Sequence, residues 1–215
     1  MSSFQIKVLA AFLMTIDHIG VVFFPQQLAL RYVGRLSFPL FAWLVGQGEK
    51  HTKSFKAYLL RLATWGVISQ PVYYLLFNNL WGLNILVTLA LGLLAIRLGK
   101  LINSRYLASA MFAAIAQLIN SSYGAYGVLT VTLLSEFSYI SLGWWTKWFL
   151  LNISTLVIPS FYSYQFLASA APDILILWNS KQGQKLKLFY LFYPVHLGVI
   201  LVLNLMGKTI RANLS

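Results

Sequence analysis

The chain has 215 residues, of which 59% are hydrophobic and 9% are charged, and its mean hydropathy is +0.74. Soluble domains are about a quarter charged, so this composition excludes a water-soluble domain and predicts an all-α, polytopic bundle of membrane helices. The length is that of a single domain, residues 1–215. The absence of cysteine from the sequence excludes disulfides, thiol nucleophiles and zinc–thiolate sites.

The sequence carries a formal net charge of +12. In a chain this apolar, such an excess is typical of Lys and Arg retained on the cytoplasmic side of a membrane. Nucleic acid is not expected as a partner, because membrane helices leave no continuous basic face for it. The partner indicated by the composition is the lipid bilayer.

Apolar runs of about 17 residues or more predict membrane helices. Such segments follow one another along the chain, joined by short polar links, and nine crossings are predicted: 4–24, 29–47, 54–77, 83–99, 105–119, 124–142, 145–161, 163–179 and 188–206. The first is interpreted as a retained span, because no small-residue cleavage site for a signal peptidase precedes Asp17 and His18.

The cationic residues predict the orientation. Of the 16 Lys and Arg residues, those that fall on alternate links are Lys7, Lys50, Lys53, Lys56, Arg97, Lys100, Arg105, Lys147, Lys181, Lys185 and Lys187. The opposite side receives Arg31, Arg35, Lys208 and Arg211. By the positive-inside rule the more basic side is cytoplasmic, so the N-terminus is predicted inside and the C-terminus outside. The basic C-terminal tail is the exception, and it would move inside if one weak span were wrong.

Asp17 and His18 are adjacent ionisable residues within the first apolar segment, beyond its middle toward the outer face. An ionisable residue at this depth costs about 2.5–3.5 kcal/mol on insertion scales, so each needs a partner or a wet cavity. Their side chains diverge by about 100°, so they can share a cavity without bonding to each other. A functional site is favoured over a structural polar pair between helices.

Further cations enter the predicted helices. Arg31 and Arg35 share one helix face; Arg31 is expected to extend to the headgroups, and the deeper Arg35 to meet an anion or a carboxylate such as Asp17. Arg61 lies near the cytoplasmic end of the third segment, where extension to the interface and a functional role are both open. The carboxylates Glu136 and Asp173 are expected to be ion-paired.

Four prolines lie within the predicted helices and close to polar residues: Pro39, Pro71, Pro172 and Pro194. Each removes a helical hydrogen bond and is expected to kink its helix. Broken backbone at membrane depth is tolerated where it is buried or lines a cavity. The pattern therefore favours a substrate cavity between the kinked helices.

Several blocks of the sequence resemble the TraX family of bacterial integral-membrane proteins. They are MTIDHIG (14–20), RYVGRLSFPLFAWL (31–44), HT (51–52), KAYLLRL (56–62), ISQP (68–71), NILVTLALGLL (84–94), YGAYGV (123–128) and LFYLFYPVHLGVIL (188–201). The family is named for a conjugation protein that N-acetylates pilin, and it is similar to the wider integral-membrane acyltransferases. The resemblance implies an acetyltransferase of the cell inner membrane, with acetyl-CoA as donor and His18 as the catalytic imidazole.

The resemblance also concerns the acceptor, which it implies to be an amine or hydroxyl, such as the N-terminus of a pilin, another protein N-terminus, a small amine or a sugar. The family usually carries a glutamate where this chain has Gln47, with Glu49 displaced toward the link. Acceptor choice is therefore expected to differ.

Acetyl transfer to an amine requires a base, and the unperturbed pKa of histidine, about 6.5, suits His18 to that task. Asp17 is expected to orient His18 or to hold it charged, and Arg35 to stabilise an anion or the CoA thiolate. Direct transfer is the leading mechanism, and an acetyl-His18 intermediate remains open. No metal is expected.

The donor site is predicted at the cytoplasmic side, where Arg61, Lys53 and Arg97 would bind the phosphates of CoA. The pantetheine arm would then run past Asn84 and Thr88 toward His18. His196 is also assigned to this donor site. The alternatives are a transporter or channel for a small anion or proton-coupled solute, and a non-catalytic membrane scaffold.

Overall fold

The computed structural model describes residues 1–157, 163–184 and 189–214, and most of these residues are helical. The helices are α1 (Ser3–Phe23), α2 (Leu28–Gly34), α3 (Ser37–His51), α4 (Phe55–Phe77), α5 (Ile85–Leu101), α6 (Arg105–Leu118), α7 (Gly124–Leu134), α8 (Leu142–Val157), a 3₁₀ helix (Ser163–Ala170), α9 (Ala171–Ile176) and α10 (Phe189–Leu214). The only β-bridge in these three ranges, between Leu83 and Ser121, is isolated. The predicted all-α class is confirmed for this part of the chain.

Three helical segments in the described ranges are long and apolar enough to cross a membrane: Ser3–Phe23, Leu28–His51 and Phe189–Ile210. Shorter apolar helices follow at Gly124–Leu134 and Gln165–Ile176. Length and composition thus agree with a membrane protein without reaching the predicted number of crossings. Lys185 and Lys187, and parts of the predicted segments 145–161 and 188–206, lie outside the described residues.

Local sequence signals account for several helix ends. Ser2 forms a capping box with Gln5 at the start of α1, and α1 ends where Phe24 precedes Pro25. The Asn84 side chain accepts a hydrogen bond from the backbone N–H of Leu86 and caps α5. These ends therefore follow from short-range chemistry.

The prolines occupy two kinds of position. Pro71 and Pro194 lie inside α4 and α10, whereas Pro172 is in the first turn of α9, and Pro39 is close to the start of α3. A proline in the first turn costs no intrahelical hydrogen bond. Two of the four prolines thus stand near helix starts, and the predicted kinks remain a prediction.

Ion pairs and hydrogen bonds bring many of the cations together at one end of the bundle, called here the basic end. Glu49 pairs with Arg97 and Lys100, and Glu136 pairs with Arg105. The N-terminus joins this end through cavity-lining residues that include Lys7 and His51. The backbone N–H groups of Ser3 and Phe4 donate to the carbonyls of Lys181 and Gln182.

The opposite end, called here the distal end, is built from the loops 78–84 and 119–124. The N–H of Leu83 donates to the carbonyl of Asn120 at 3.0 Å, and the N–H of Ser122 donates to the carbonyl of Leu83 at 2.8 Å. The Gln70 amide adds a bond to the Gly82 carbonyl at 2.8 Å. The helices between α3 and α7 therefore run alternately from one end to the other.

Helix α7 lies at the centre of the bundle and packs on α3, α5, α6 and α8. Glycines permit this close approach: a Cβ added at Gly92 of α5 would lie 2.6 Å from the Val131 side chain. Many large apolar side chains on the outer helix surfaces remain exposed, among them Leu118 at 85% and Val67 at 75%. Such a surface suits a hydrocarbon environment and not water.

Candidate functional site

A cavity of about 510 Å³ lies toward the distal end and contains Asp17, His18 and Arg35. We call it the distal cavity. Polar side chains make up much of its lining, which includes Arg31, Ser37, Tyr73, Asn79, Gln117, Asn120, Ser121, Ser122, Tyr123, Tyr126, Gln165 and Tyr193. The structure thus places the three residues predicted to be catalytic in one polar cavity, and their catalytic role remains a prediction.

His18 makes its hydrogen bond with a second histidine. Its Nδ1 lies 2.9 Å from Nε2 of His196, and Nδ1 of His196 lies 2.9 Å from the backbone carbonyl oxygen of Phe192. The edge of the Phe77 ring packs against the His18 ring, with centroids 5.2 Å apart. His196, which the sequence analysis assigned to the donor site, is therefore the direct neighbour of the proposed base.

Asp17 pairs with arginines and not with His18. Its carboxylate accepts from Nη2 of Arg35 at 3.1 Å and lies 3.4 Å from Nε of Arg31. The expected contact between Asp17 and Arg35 is present. The expectation that Asp17 orients His18 is corrected, because the two side chains leave α1 in different directions and the His18 Nδ1 is bonded to His196.

Gly34 makes room for the Asp17 side chain. A Cβ at this position would lie 2.7 Å from Oδ1 and 2.8 Å from Cγ of Asp17. Contacts this short do not occur between real atoms, so any larger residue would displace the carboxylate from its arginines. The close approach of α2 to α1 therefore depends on glycine.

Arg35, which is 3% exposed, begins a chain of buried polar contacts. Its Nη1 lies 3.4 Å from the amide oxygen of Gln165 and 3.5 Å from the Tyr123 hydroxyl. The Gln165 amide donates to Tyr126 at 3.3 Å, and the Tyr126 hydroxyl donates to Asn152 at 3.0 Å. A polar network of this kind holds the guanidinium in a fixed position.

Tyr123 adopts an unusual backbone conformation in this network. Its φ is +64°, in the left-handed region that aromatic residues seldom occupy. The ring stacks on Phe38 with centroids 4.2 Å apart. Backbone strain of this kind is common at functional sites. Hydrophobic periodicity does not predict it, and the YGAYGV block is the sequence signal that marks this position.

A second cavity, of about 430 Å³, lies at the basic end. We call it the basal cavity. Its lining includes Lys7, His51 and Arg61 and, among the described lining residues, no carboxylate. The Arg61 guanidinium lies over the Tyr58 ring at 5.8 Å from the centroid. This cavity therefore suits an anionic group, and Lys7 is a cation that the sequence analysis used only for orientation.

The other residues predicted for the donor site occupy different places. Lys53 is exposed and lines neither of these two cavities, and Arg97 pairs with Glu49 and lies over the Phe55 ring. Asn84 donates to the Gly66 carbonyl and to Gln70. Thr88 donates to the Ser122 carbonyl. Of the predicted phosphate ligands, Arg61 is thus the one on the basal cavity wall.

The two cavities adjoin each other and share part of their walls. Four residues line both of them: Met14, Phe41, Ile85 and Tyr193. They come from α1, α3, α5 and α10. The described part of the chain holds no group of three or more His, Asp or Glu side chains suited to a metal ion. The wall that the two cavities share is thus largely apolar and is formed by residues of four helices.

Comparison with known proteins identifies the family. A family model described as "TraX protein" matches residues 2–204. The chain belongs to the TraX family. The family match covers α1 through most of α10, including Asp17, His18, Arg35 and His196. No solved structure matches the chain.

Individual known proteins are also similar to this chain. A protein of Dichelobacter nodosus named "Probable fimbrial assembly protein FimC, serogroup H1" is 28% identical over 93% of this chain and 94% of its own length. "Protein TraX" of Escherichia coli is 39% identical over 71 residues, which are 33% of this chain and 29% of the relative. "Uncharacterized protein RP591" of Rickettsia prowazekii is 33% identical over 40% of this chain.

Proposed function

We propose that this TraX-family chain is an integral-membrane acetyltransferase that moves the acetyl group of acetyl-CoA to an amine or hydroxyl acceptor. The observation that carries the proposal is the pair of cavities sharing four lining residues, one with a cationic wall and the other with His18. A long, thin donor that is anionic at one end and reactive at the other fits such a pair. The reactive end would lie in the distal cavity.

The donor is held by charge at the basal cavity. The diphosphate and 3′-phosphate of CoA need cations, of which arginine makes the strongest contacts. Arg61 and Lys7 face this cavity without a competing carboxylate among the described lining residues. The weakly polar arm passes between Met14, Phe41 and Ile85. The predicted phosphate contacts of Lys53 and Arg97 are tested below with Arg61, and the passage of the arm by Asn84 and Thr88 remains part of the proposal.

The proposed reaction takes place in the distal cavity. His18 accepts a proton from the acceptor nitrogen or oxygen as that atom attacks the thioester carbonyl carbon. Arg35 stabilises the oxyanion that forms. The carbon–sulfur bond then breaks, the acetyl group stays on the acceptor, and the CoA thiolate takes the proton from His18.

The acceptor proposed is a protein N-terminus, such as that of a pilin. The Dichelobacter relative, similar along almost its whole length, is named a probable fimbrial assembly protein. The distal cavity offers the neutral hydrogen-bonding side chains of Asn79, Asn120 and Ser122 for such a segment. A small amine or a sugar would use the same groups.

The chain is further proposed to cross the inner membrane nine times with its N-terminus in the cytoplasm. The gathering of Glu49, Lys100, Arg105 and Glu136 at the end that also holds the first residues of α1 supports this arrangement. Helices α2 and α3 together make one crossing, as do the 3₁₀ helix and α9. Cytoplasmic acetyl-CoA would reach the basal cavity directly.

The test is the transfer of labelled acetyl from acetyl-CoA by purified protein to an acceptor peptide with a free N-terminus. His18→Ala should reduce turnover by about 10²–10⁴-fold, the contribution of a positioned base, while detergent stability is retained. Wild-type turnover in this variant would remove His18 from the mechanism. No transfer and no saturable acetyl-CoA binding by the wild-type protein would end the proposal.

The donor site is tested by charge removal. Arg61→Gln should raise the KM for acetyl-CoA with a strong salt dependence and lower kcat less. Lys208→Gln removes a charge near the C-terminal end of α10. It is the matched control and should leave the KM unchanged. Unchanged donor affinity after neutralising Arg61, Arg97 and Lys53 together would contradict docking at the basic end.

A transporter for a small anion is the second candidate, because two adjoining cavities would also suit the alternating access of a solute. Reconstituted protein distinguishes the two. Flux of a small anion without acetyl-CoA binding would favour transport, whereas acetylated product without flux would favour the enzyme.

A further inference from the structure

We propose that His196 is a positioning residue: it fixes the proton of neutral His18 on Nδ1, so that Nε2 of His18 is the atom that takes the acceptor's proton. The proposal rests on the function proposed above for His18. It adds the tautomer, the reacting nitrogen and the residue that sets them. His196 is 8% exposed and, unlike His18, does not line the distal cavity.

The backbone of α10 sets the first proton. Nδ1 of His196 lies 2.9 Å from the carbonyl oxygen of Phe192. A carbonyl oxygen only accepts hydrogen bonds, so Nδ1 of His196 must carry a proton. In a neutral imidazole the other nitrogen is then an acceptor, and Nε2 of His196 presents its lone pair.

The second proton follows from the first. Nε2 of His196 lies 2.9 Å from Nδ1 of His18. Because one of these two atoms must donate and Nε2 of His196 is the acceptor, Nδ1 of His18 carries the proton. Neutral His18 therefore has its lone pair on Nε2. A carbonyl in α10 thus determines which nitrogen of a histidine in α1 is basic.

The ring geometry fits a directed hydrogen bond and not face-to-face stacking. The planes of His18 and His196 differ by 7°, and their centroids are 5.1 Å apart, about the separation of two imidazoles joined end to end through one N–H···N bond. The Phe192 ring stacks on His196 at 4.5 Å with planes 6° apart. Phe192 therefore holds the second imidazole from its face as well as through its carbonyl.

A neutral imidazole in this position has a chemical consequence. Asp17, the neighbouring carboxylate, is bonded to Arg31 and Arg35. When Nε2 of His18 gains the acceptor's proton, the positive charge can be shared with His196 by movement of the Nδ1 proton across the hydrogen bond. The proton then leaves from Nε2 to the CoA thiolate, and both rings return to their neutral forms.

Nitrogen NMR of ¹⁵N-histidine-labelled protein tests the tautomer without any need for turnover. The sequence holds three histidines, so spectra of His51→Gln and His196→Gln assign all the signals. At a pH where the rings are neutral, His18 should show a protonated Nδ1 and an unprotonated Nε2 in the wild-type protein. A wild-type His18 protonated on Nε2 would overturn the proposal.

Kinetics supply the second test. His196→Gln keeps an oxygen acceptor for Nδ1 of His18, whereas His196→Leu removes it. The leucine variant should lose kcat within the range of about 10²–10⁴-fold that a positioned base contributes, with little change in the KM for acetyl-CoA, and glutamine should restore part of it. Equal kcat in wild type and leucine variant would contradict the positioning role. A wild-type protein that shows the expected tautomer without transferase activity would refute the proposed function alone.

Discussion

Two adjacent residues of α1 serve different neighbours because their side chains leave the helix about 100° apart. Asp17 faces Gly34 and the arginines of α2 and its C-cap. His18 faces Phe77 of α4 and His196 of α10. The pair therefore places a charge-compensated carboxylate and the proposed base within one turn of helix.

The Asp17–Arg35 pair should be strongly coupled in folding. Removing one partner of a buried pair costs about 3–5 kcal/mol, so Asp17→Asn and Arg35→Gln should each lower the free energy of unfolding by roughly that amount. The double variant should lose less than the sum, with a coupling energy of about 0.5–3 kcal/mol. The free energy of unfolding is measured in mixed micelles for the wild-type protein, the two single variants and the double variant.

The exposed pair Arg105–Glu136 provides the matched control. Its side chains are 52% and 41% exposed, and exposed pairs contribute about 0–1 kcal/mol. The same cycle of neutral substitutions should therefore give little coupling. If the losses at Asp17 and Arg35 were additive, with a coupling energy no larger than that of the control pair, their contact would not stabilise the fold.

At the residue scale the sequence predicted the contents of the site better than its connections. Polarity at membrane depth selected Asp17, His18 and Arg35, and the structure places all three in one cavity. The bond between His18 and His196 joins positions 178 residues apart. Spacing along one helix carries no information about such a partner, and the same is true of Gln165.

At the scale of elements, apolar length predicted helices well where short-range signals ended them. The segment predicted at 54–77 is α4, and that at 105–119 is α6, each within a residue or two. Helix α7 ends at Leu134 and not at 142. Just after the last residue of α7 the chain lies at the basic end, where Glu136 pairs with Arg105. A pattern of apolar residues contains no information about such a long-range ion pair, so it could not predict where α7 ends.

The packing of α5 on α7 should depend on Gly92. A Cβ there would lie 2.6 Å from Cβ and Cγ1 of Val131, so Gly92→Ala should destabilise the fold by about 1–3 kcal/mol through overpacking. Gly66→Ala in α4 is the control, because its nearest neighbour would be 3.6 Å away. Thermal unfolding in detergent compares the two, and an equal midpoint would contradict the close approach of α5 and α7.

At the scale of the whole molecule, charge and contacts point to the same two ends. The alternate links predicted to be basic include Lys50, Lys100 and Arg105, which the ion pairs and the cavity between α3, α5 and α6 bring together. The loops joined by the Leu83–Asn120 bond form the other end. Orientation relative to the cytoplasm comes from the positive-inside rule alone.

Reporter fusions should therefore distinguish the two ends. Fusions within 50–53 and at 181–184 should report the cytoplasm, and a fusion within 120–124 should report the outside, because the first two sites lie on the side predicted to carry 11 of the 16 cations. An external signal at 50–53 would invert the molecule. Cysteine substitutions at the same links, labelled with an impermeant reagent in whole cells, provide an independent check.

The apolar wall shared by the two cavities has an electrical consequence. An energised membrane does about 2.3 kcal/mol of work on each charge that falls through 100 mV, so a hydrated path from the basic to the distal end would discharge it. Met14, Phe41 and Ile85 offer no ionic contact, and Tyr193 offers one phenol; an ion passing them would lose its water without replacement. The apolar wall shared by the two cavities therefore opposes the passage of ions between the basic end and the distal end.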